Sequence, residues 1–290
     1  MGQNHVTLSF PLKTPADGQA LAEQLPALMP VLSRAQDAIG RVHYSRFTML
    51  NDETLLYLAD FDGDLGSLMA SLARTAGPVF DAILSRVADG PPGRVADHVH
   101  DLVEWTAAHL IHPVDVYSAY PEASVKDIKT MAYAAGLTSM GELRPFLVIL
   151  PMTSHLAFIE AQLALRARGQ ETARDLDMVG TPHFAQFVPL DDDHIGFFSV
   201  YDGSFGTYVA DLTRQLGPVF DLLFKFTSNP PPSPCRRHLH EFVDFIEGAT
   251  RPPIGFYQAY PGLSVHDIHT LIADRTAVSV PKAIAHDKRQ

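Results

Sequence analysis

The chain carries one cysteine, Cys235, in 290 residues, so no internal disulfide framework holds it together. No apolar run approaches the roughly 18 residues of a membrane span. No basic, apolar leader opens it, and Val6 stands where a myristoylation motif requires Ser or Thr. These absences predict a soluble, cytoplasmic protein with no membrane partner. Positive charge is also scarce. Against 33 Asp and Glu there are 22 Lys and Arg, a net charge of −11, and no basic cluster is present to neutralise phosphates. A nucleic-acid partner is excluded on that ground. Missing too are a nucleophile elbow, a phosphate-cradling glycine loop, a dinucleotide fingerprint and a zinc cluster.

What is present is a repeat. Gly77-Pro78-Val79-Phe80-Asp81 returns as Gly217-Pro218-Val219-Phe220-Asp221, an offset of 140, and at that offset residues 43–131 align with 183–271 without a gap, about 30 of 89 positions being identical. His98-x-His100 faces His238-x-His240, Tyr120-Pro121 faces Tyr260-Pro261, and Ser124-x-x-Asp127 faces Ser264-x-x-Asp267. A length of 290 and a hydrophobic content of 46% then describe two folded units, residues 1–140 and 141–290.

Each unit is read twice. In the first, residues 6–12 form a strand, 16–38 a helix or broken pair, and 43–50 with 54–61 a hairpin across Asn51-Asp52-Glu53. Residues 64–87 are helical with a break at Gly77-Pro78, 96–110 form a further helix, and 114–120 the last strand. The second copy repeats the order, with its break at Gly217-Pro218. The order βαββαβ is that of a ferredoxin-like unit. Neither face of strands 183–190 and 254–260 is consistently polar, so both faces are covered, one by helices and the other by the second sheet. The expected fold is α+β: two tandem ferredoxin-like repeats forming a pseudo-twofold barrel. Residues 278–290 read as a loose tail.

This organisation resembles the dimeric α+β barrel superfamily, whose tandem members include chlorite dismutase-like proteins and dye-decolourising peroxidases. The glycine of the peroxidases' Gly-x-x-Asp-Gly signature is absent before Asp62-Gly63 and Asp202-Gly203. The resemblance implies haem, or a small apolar molecule, held between sheet and helices, and a haem-dependent, peroxidase-like oxidoreductase. A proximal ligand would then come from His155, His266 or His269, with Arg46 polarising the oxidant. The superfamily often assembles further through free sheet edges, so a homo-oligomer is expected.

A pseudo-symmetric scaffold holds one asymmetric ligand through positions where its copies differ. Arg46 faces Gln186, Asp60 faces Val200, Asp115 faces Gly255, and Ser118 faces Gln258. Arg46, Ser118 and Gln258 are therefore the candidate catalytic residues, including for a cofactor-free enzyme that uses a polar strand residue as base. A binding or assembly module without catalysis is the third reading. His266 and His269 share a helical face, but two ligands do not make a metal site. Residues two apart on a helix lie on different faces, so the His-x-His pairs are expected at the surface. Ser124 and Ser264 are expected to cap helices, and Tyr120 and Tyr260 to end strands as packed rings with bonded hydroxyls. Cys235 is read as incidental.

Overall fold

Along residues 3–11 Val6, Leu8 and Phe10 alternate with Thr7 and Ser9, a period of two that gives a strand one face for helices and another for a second sheet. The computed structural model, which describes residues 2–91, 93–137 and 141–279, places both faces as that pattern requires. The expected tail falls almost wholly outside the described residues.

The first half runs β1 (Gln3–Pro11), α1 (Pro15–Ile39), β2 (Val42–Asn51), β3 (Thr54–Asp62), α2 (Leu65–Thr75), α3 (Gly77–Leu84), α4 (Val99–Ala108), β4 (Leu110–Ile111), β5 (Asp115–Ser118) and α5 (Val125–Ala134). The second runs β6 (Leu143–Pro151), α6 (His155–Val179), β7 (Pro182–Leu190), β8 (His194–Asp202), α7 (Phe205–Leu223), α8 (Leu239–Ala249), β9 (Ile254–Gln258) and α9 (Val265–Ser279). Thr14 caps α1, accepting from the Asp17 N–H, and the left-handed Gly40 ends it. Despite Pro26 and Pro30, α1 is one helix. Capping boxes start α5 and α9, as the Ser-x-x-Asp spacing predicts.

The sheets are antiparallel, in the orders β4-β1-β3-β2-β9 and β5-β7-β8-β6. The order β4-β1-β3-β2 is that of a ferredoxin-like unit, but its fourth strand is split. Only Leu110 and Ile111 pair with β1, and the chain then crosses so that β5 pairs with β7 of the other half. The second half repeats the split: Thr250 makes a single bridge to Val148, and β9 then pairs with β2. The last strand of each repeat, expected in its own sheet, thus completes its neighbour's. Each exchanged strand carries a tyrosine that donates to an aspartate near the end of the other half's long helix, Tyr117 to Asp177 and Tyr257 to Asp37, both at 2.9 Å.

Between the sheets, Leu50, Leu56 and Leu58 meet Leu147, Ile149, Val188, Leu190 and Phe198 in a closed core. On the outer faces α1 to α4 cover the first sheet and α6 to α8 the second, each over its own apolar cluster. The barrel is therefore filled by side chains.

The repeated Gly-Pro-Val-Phe-Asp takes two forms. In the first copy the helix breaks, Ala76 separating α2 from α3. In the second α7 runs on through Pro218, against expectation. Pro218 has no N–H for the turn before it, and Arg236, whose counterpart is Ala96, supplies donors there, Nε to the Thr213 carbonyl and Nη2 to that of Gln215. Both aspartates do one job. Asp81 accepts the N–H of Val95 and Asp221 that of Cys235, each at 2.8 Å, pinning the proline-rich loop to the helix. Replacing Asp81 or Asp221 with Ala leaves a loop N–H without its acceptor and is expected to lower stability by about 1 to 2 kcal/mol, measured by denaturant unfolding; an unchanged midpoint in both variants would show that the loop is held elsewhere.

Candidate functional site

Two polar clusters lie between the sheets, one duplicated and one not. The duplicated one begins at a β-bulge. Val42 pairs with Phe61 and Tyr44 with Asp60, leaving His43 as the extra residue; Pro182, Phe184 and His183 repeat the geometry against β8. A bulge re-aims the side chain it inserts. His43 Nε2 meets Asp62 Oδ1 at 3.0 Å and His183 Nε2 meets Asp202 Oδ1 at 2.8 Å. The second oxygen of each carboxylate accepts the first N–H of a helix, Val125 of α5 or Val265 of α9, at 2.8 Å. Each Nε2 therefore donates, and each Nδ1 is left to accept.

The donors are tyrosines from the other half. Tyr260 reaches His43 Nδ1 at 2.7 Å, Tyr120 reaches His183 Nδ1 at 2.8 Å, and the two hydroxyls meet at 3.0 Å. Those three contacts need three protons, and two tyrosines supply two. Tyr44, which faces Phe184 in the other copy, adds a third hydroxyl and with it a fourth contact, to His183 Nδ1 at 3.1 Å. Four contacts then share three hydroxyl protons, and His183 Nδ1, with one in-plane lone pair, accepts from one of the two hydroxyls that face it. Burial, and next the neighbouring Tyr260, push the Tyr44 and Tyr120 hydroxyls well above the ordinary phenol value. They are neutral phenols, hydrogen-bond donors rather than phenolate nucleophiles, and the cluster is a sealed axial lock.

The second cluster exists in one copy. Arg46, 1% exposed, donates from Nη1 to Asp60 Oδ2 at 3.1 Å, and Asp60 Oδ1 lies 2.8 Å from His5 Nδ1. Their counterparts are Gln186, Val200 and Pro145. Burial alone would raise the Asp60 carboxyl, but the His5 hydrogen bond and the Arg46 guanidinium overcome it and hold the group below its ordinary value. Arg46 Nε, Thr7 Oγ1 and both amide atoms of Gln186 are buried without a partner among the described residues.

His5 is where this cluster reaches the surface. It lines an open groove of about 920 Å3 between the start of β1, β5 and α6, whose wall includes Gln3, Asn4, His112, Val116, Tyr117, Ser118, Ala173 and Asp177. Asp60 engages Nδ1, no hydrogen bond among the described residues engages Nε2, and the side chain is 8% exposed where it lines the groove. Phe184 packs edge-on against the ring, 5.5 Å between centroids.

The residues singled out from sequence do not share one place. Arg46 stands behind His5. Ser118 lines the groove, donating to Gln3 Oε1 at 2.7 Å. Gln258, its counterpart, lies opposite Tyr44 on the far edge of the first sheet. His155 is exposed on the first turn of α6, its Nδ1 3.1 Å from the Asp192 carbonyl oxygen. His266 is exposed on α9. His269 is exposed as well, its Nε2 2.7 Å from the Ala119 carbonyl oxygen at the rim of an apolar cleft of about 510 Å3 between α5 and α9. The helix-to-sheet layers, where the resemblance implies haem, are packed with apolar side chains; a void of about 150 Å3 beside Phe187 and Leu176 is too small for one. With none of these three histidines turned into either layer, the residues present do not fit a haem. The His-x-His pairs are surface groups beside acidic side chains, as the helical geometry predicts. Cys235 is fully buried, and burial, ahead of the nearby Asp221, pushes its thiol up to about 12.

No family model matches the chain, and no curated protein does. Solved structures similar to it include a protein of Lactobacillus acidophilus NCFM, provisionally described as a monooxygenase, with 8% identity, a TM-score of 0.39, and coverage of 91% of this chain and 99% of that one. Another, from Fusobacterium nucleatum subsp. nucleatum ATCC 25586 and described in the same words, has 9% identity, a TM-score of 0.42, and coverage of 91% and 97%. The α+β barrel stands on the sheet orders and strand exchange seen in this chain.

Sequence reasoning missed His5, His43, His183 and Tyr44. The duplicated histidines carried a signal, since they open the gapless alignment; His5 carried none, lying outside it opposite a proline. Two outcomes test the axial lock. Tyr44→Phe removes a buried hydroxyl that faces His183 Nδ1 and is expected to lower stability by about 1 to 3 kcal/mol, read from denaturant unfolding. The folded values of the Tyr44 and Tyr120 hydroxyls lie above the unfolded value of about 10; that of Tyr57 lies at about 12, raised chiefly by burial. The stability tied to the neutral phenols is thus fully present below pH ~10 and is lost as pH rises through the folded values. Unfolding free energy should fall in that alkaline window while phenolate absorbance from these tyrosines appears together with unfolding; buried phenolate in a still-folded protein would contradict it.

Proposed function

We propose that this protein is a small-molecule-binding α+β barrel whose ligand lies in the β1–β5–α6 groove. One observation carries the reading: the polar cluster present in a single copy surfaces there, through His5. The space between the sheets is filled, so a ligand cannot enter where an open barrel would take it. At the groove, the duplicated scaffold stops being symmetric, as holding an asymmetric molecule requires.

The groove sets the chemistry of what it binds. Gln3, Asn4 and Ser118 offer polar contacts, His5 offers a ring nitrogen without a hydrogen bond among the described residues, and Val116, Ala173 and the Tyr117 ring supply apolar wall. Such a surface fits a molecule with an apolar body and a polar end. Binding comes first in this reading, because the tyrosines of the axial lock are neutral and sealed.

Titrating the isotope-labelled protein with a set of small hydroxylated aromatic and aliphatic fragments tests it. Saturable amide shifts are expected around His5, Val116 and Ser118, and Ala173→Trp, which fills the groove, should abolish them. Shifts gathered around Met131 and His269 instead would seat the ligand in the α5–α9 cleft and overturn the assignment.

A further inference from the structure

We propose that His5 is a general base, taking the proton of an acidic hydroxyl on the molecule bound in the groove, with Asp60 and Arg46 as positioning residues; the proposal rests on the groove being the binding site. The geometry fixes which nitrogen acts. Arg46 Nη1 holds one carboxylate oxygen of Asp60 at 3.1 Å, which leaves the other on His5 Nδ1 at 2.8 Å. A carboxylate accepts, so Nδ1 carries the proton and Nε2 keeps its lone pair. That nitrogen has no hydrogen-bond partner among the described residues, in a ring that lines the groove. Arg46 and Asp60 are 1% exposed and anchored between the sheets, so the ring is aimed from a rigid wall.

The step balances without any further reactant. The ligand O–H bond breaks, its electron pair stays on the ligand oxygen as an oxyanion, and a new N–H bond forms at Nε2. The resulting imidazolium donates from Nδ1 to Asp60 and from Nε2 to the oxyanion. An imidazole is too weak a base for ordinary alcohols or unactivated C–H bonds, which confines the ligand class to phenols, enols and similarly acidic hydroxyls. The second half has no counterpart of this base, since Pro145, Val200 and Gln186 occupy the three positions.

Three measurements on the full chain test this. Long-range nitrogen–proton NMR reads the ring tautomer directly: the proton is expected on Nδ1 of His5, and a proton on Nε2 overturns the proposal whatever the groove binds. Diethyl pyrocarbonate with peptide mass spectrometry should modify His5 at Nε2 while sparing buried His43 and His183; an inert His5 overturns it as well. In Asp60→Asn, Arg46 holds the amide oxygen, so the amide N–H faces Nδ1 and the tautomer inverts. His5 modification should then fall severalfold while that of exposed His100 does not. Should that variant fail to fold, His5→Gln preserves the donor to Asp60 and serves in its place for the third measurement, a titration with 4-nitrophenol. Wild type should bind it with an increased phenolate band, and His5→Gln should bind it without the increase. Binding in the groove with equal ionisation in both proteins overturns the base and leaves the groove standing. No saturable binding overturns the groove reading and the proposal with it.

Discussion

The strand exchange depends on the axial hydrogen-bond chain, and much of the molecule depends on the exchange. Tyr120 follows β5 and belongs to the first half, yet it bonds His183 of the second; Tyr260 follows β9 and bonds His43. The Asp62–His43–Tyr260 and Asp202–His183–Tyr120 chains therefore close only when each half has given up its last strand. Each aspartate also holds the first N–H of α5 or α9, so one carboxylate ties a bulge, a sheet edge and a helix start together. A buried polar chain of this kind specifies as much as it stabilises, since a misregistered strand leaves its groups unpaired at a cost of about 1 to 3 kcal/mol each. Carrying both copies on one chain makes this association intramolecular, with the high effective concentration a covalent link supplies.

Twofold symmetry creates a difficulty at its own axis. Two identical tyrosines meeting there each have an outward histidine to satisfy, and the contact between them then has no proton. Tyr44 in place of a second phenylalanine makes the two ends unequal, adding one hydroxyl at His183 and none at His43. The rest of the inner wall is asymmetric in the same sense. Thr7, Ser9, Arg46, Thr48 and Asp60 on the first sheet face a pattern of Leu147, Ile149, Gln186, Val188 and Val200 on the second. Apolar side chains from both sheets seal one end, and the first sheet's charged groups gather toward the edge where His5 opens outward. Arg46 could not persist there alone: a buried guanidinium requires its carboxylate, and that carboxylate in turn orients the imidazole.

Much of the architecture was legible because the chain states it twice. The constant offset exposed the repeats, the hairpins and both capping boxes, and the rings of Tyr120 and Tyr260 have the bonded hydroxyls anticipated for them. The exchange was not legible, because period-two alternation says which face a strand buries and nothing about which edge it joins. Nor was the continuity of α7. Gly-Pro reads alike in both copies, and Arg236, where the first copy has Ala96, lies after the loop and reaches back to carbonyls before the proline. The differing pairs Arg46/Gln186 and Asp60/Val200 pointed to the right wall, but His5, the residue that carries that wall to solvent, lies in a segment where identity between the copies has already faded.

A division of labour follows from where the copies agree and where they part. Asp81 and Asp221 pin equivalent loops, Asp62 and Asp202 pin equivalent helices, and the paired histidines and tyrosines lock equivalent strands, so that these duplicated residues find their partners within the fold. Among the unsatisfied inner-wall atoms, Arg46 Nε and the Gln186 amide belong to a pair that diverged, and Thr7 faces a leucine. Duplication supplies a second sheet to complete and cover the first, which removes the constraint that both sheets carry the same inner face. The first half then accommodates a charged cluster that two identical halves could hold only by facing one buried arginine with another.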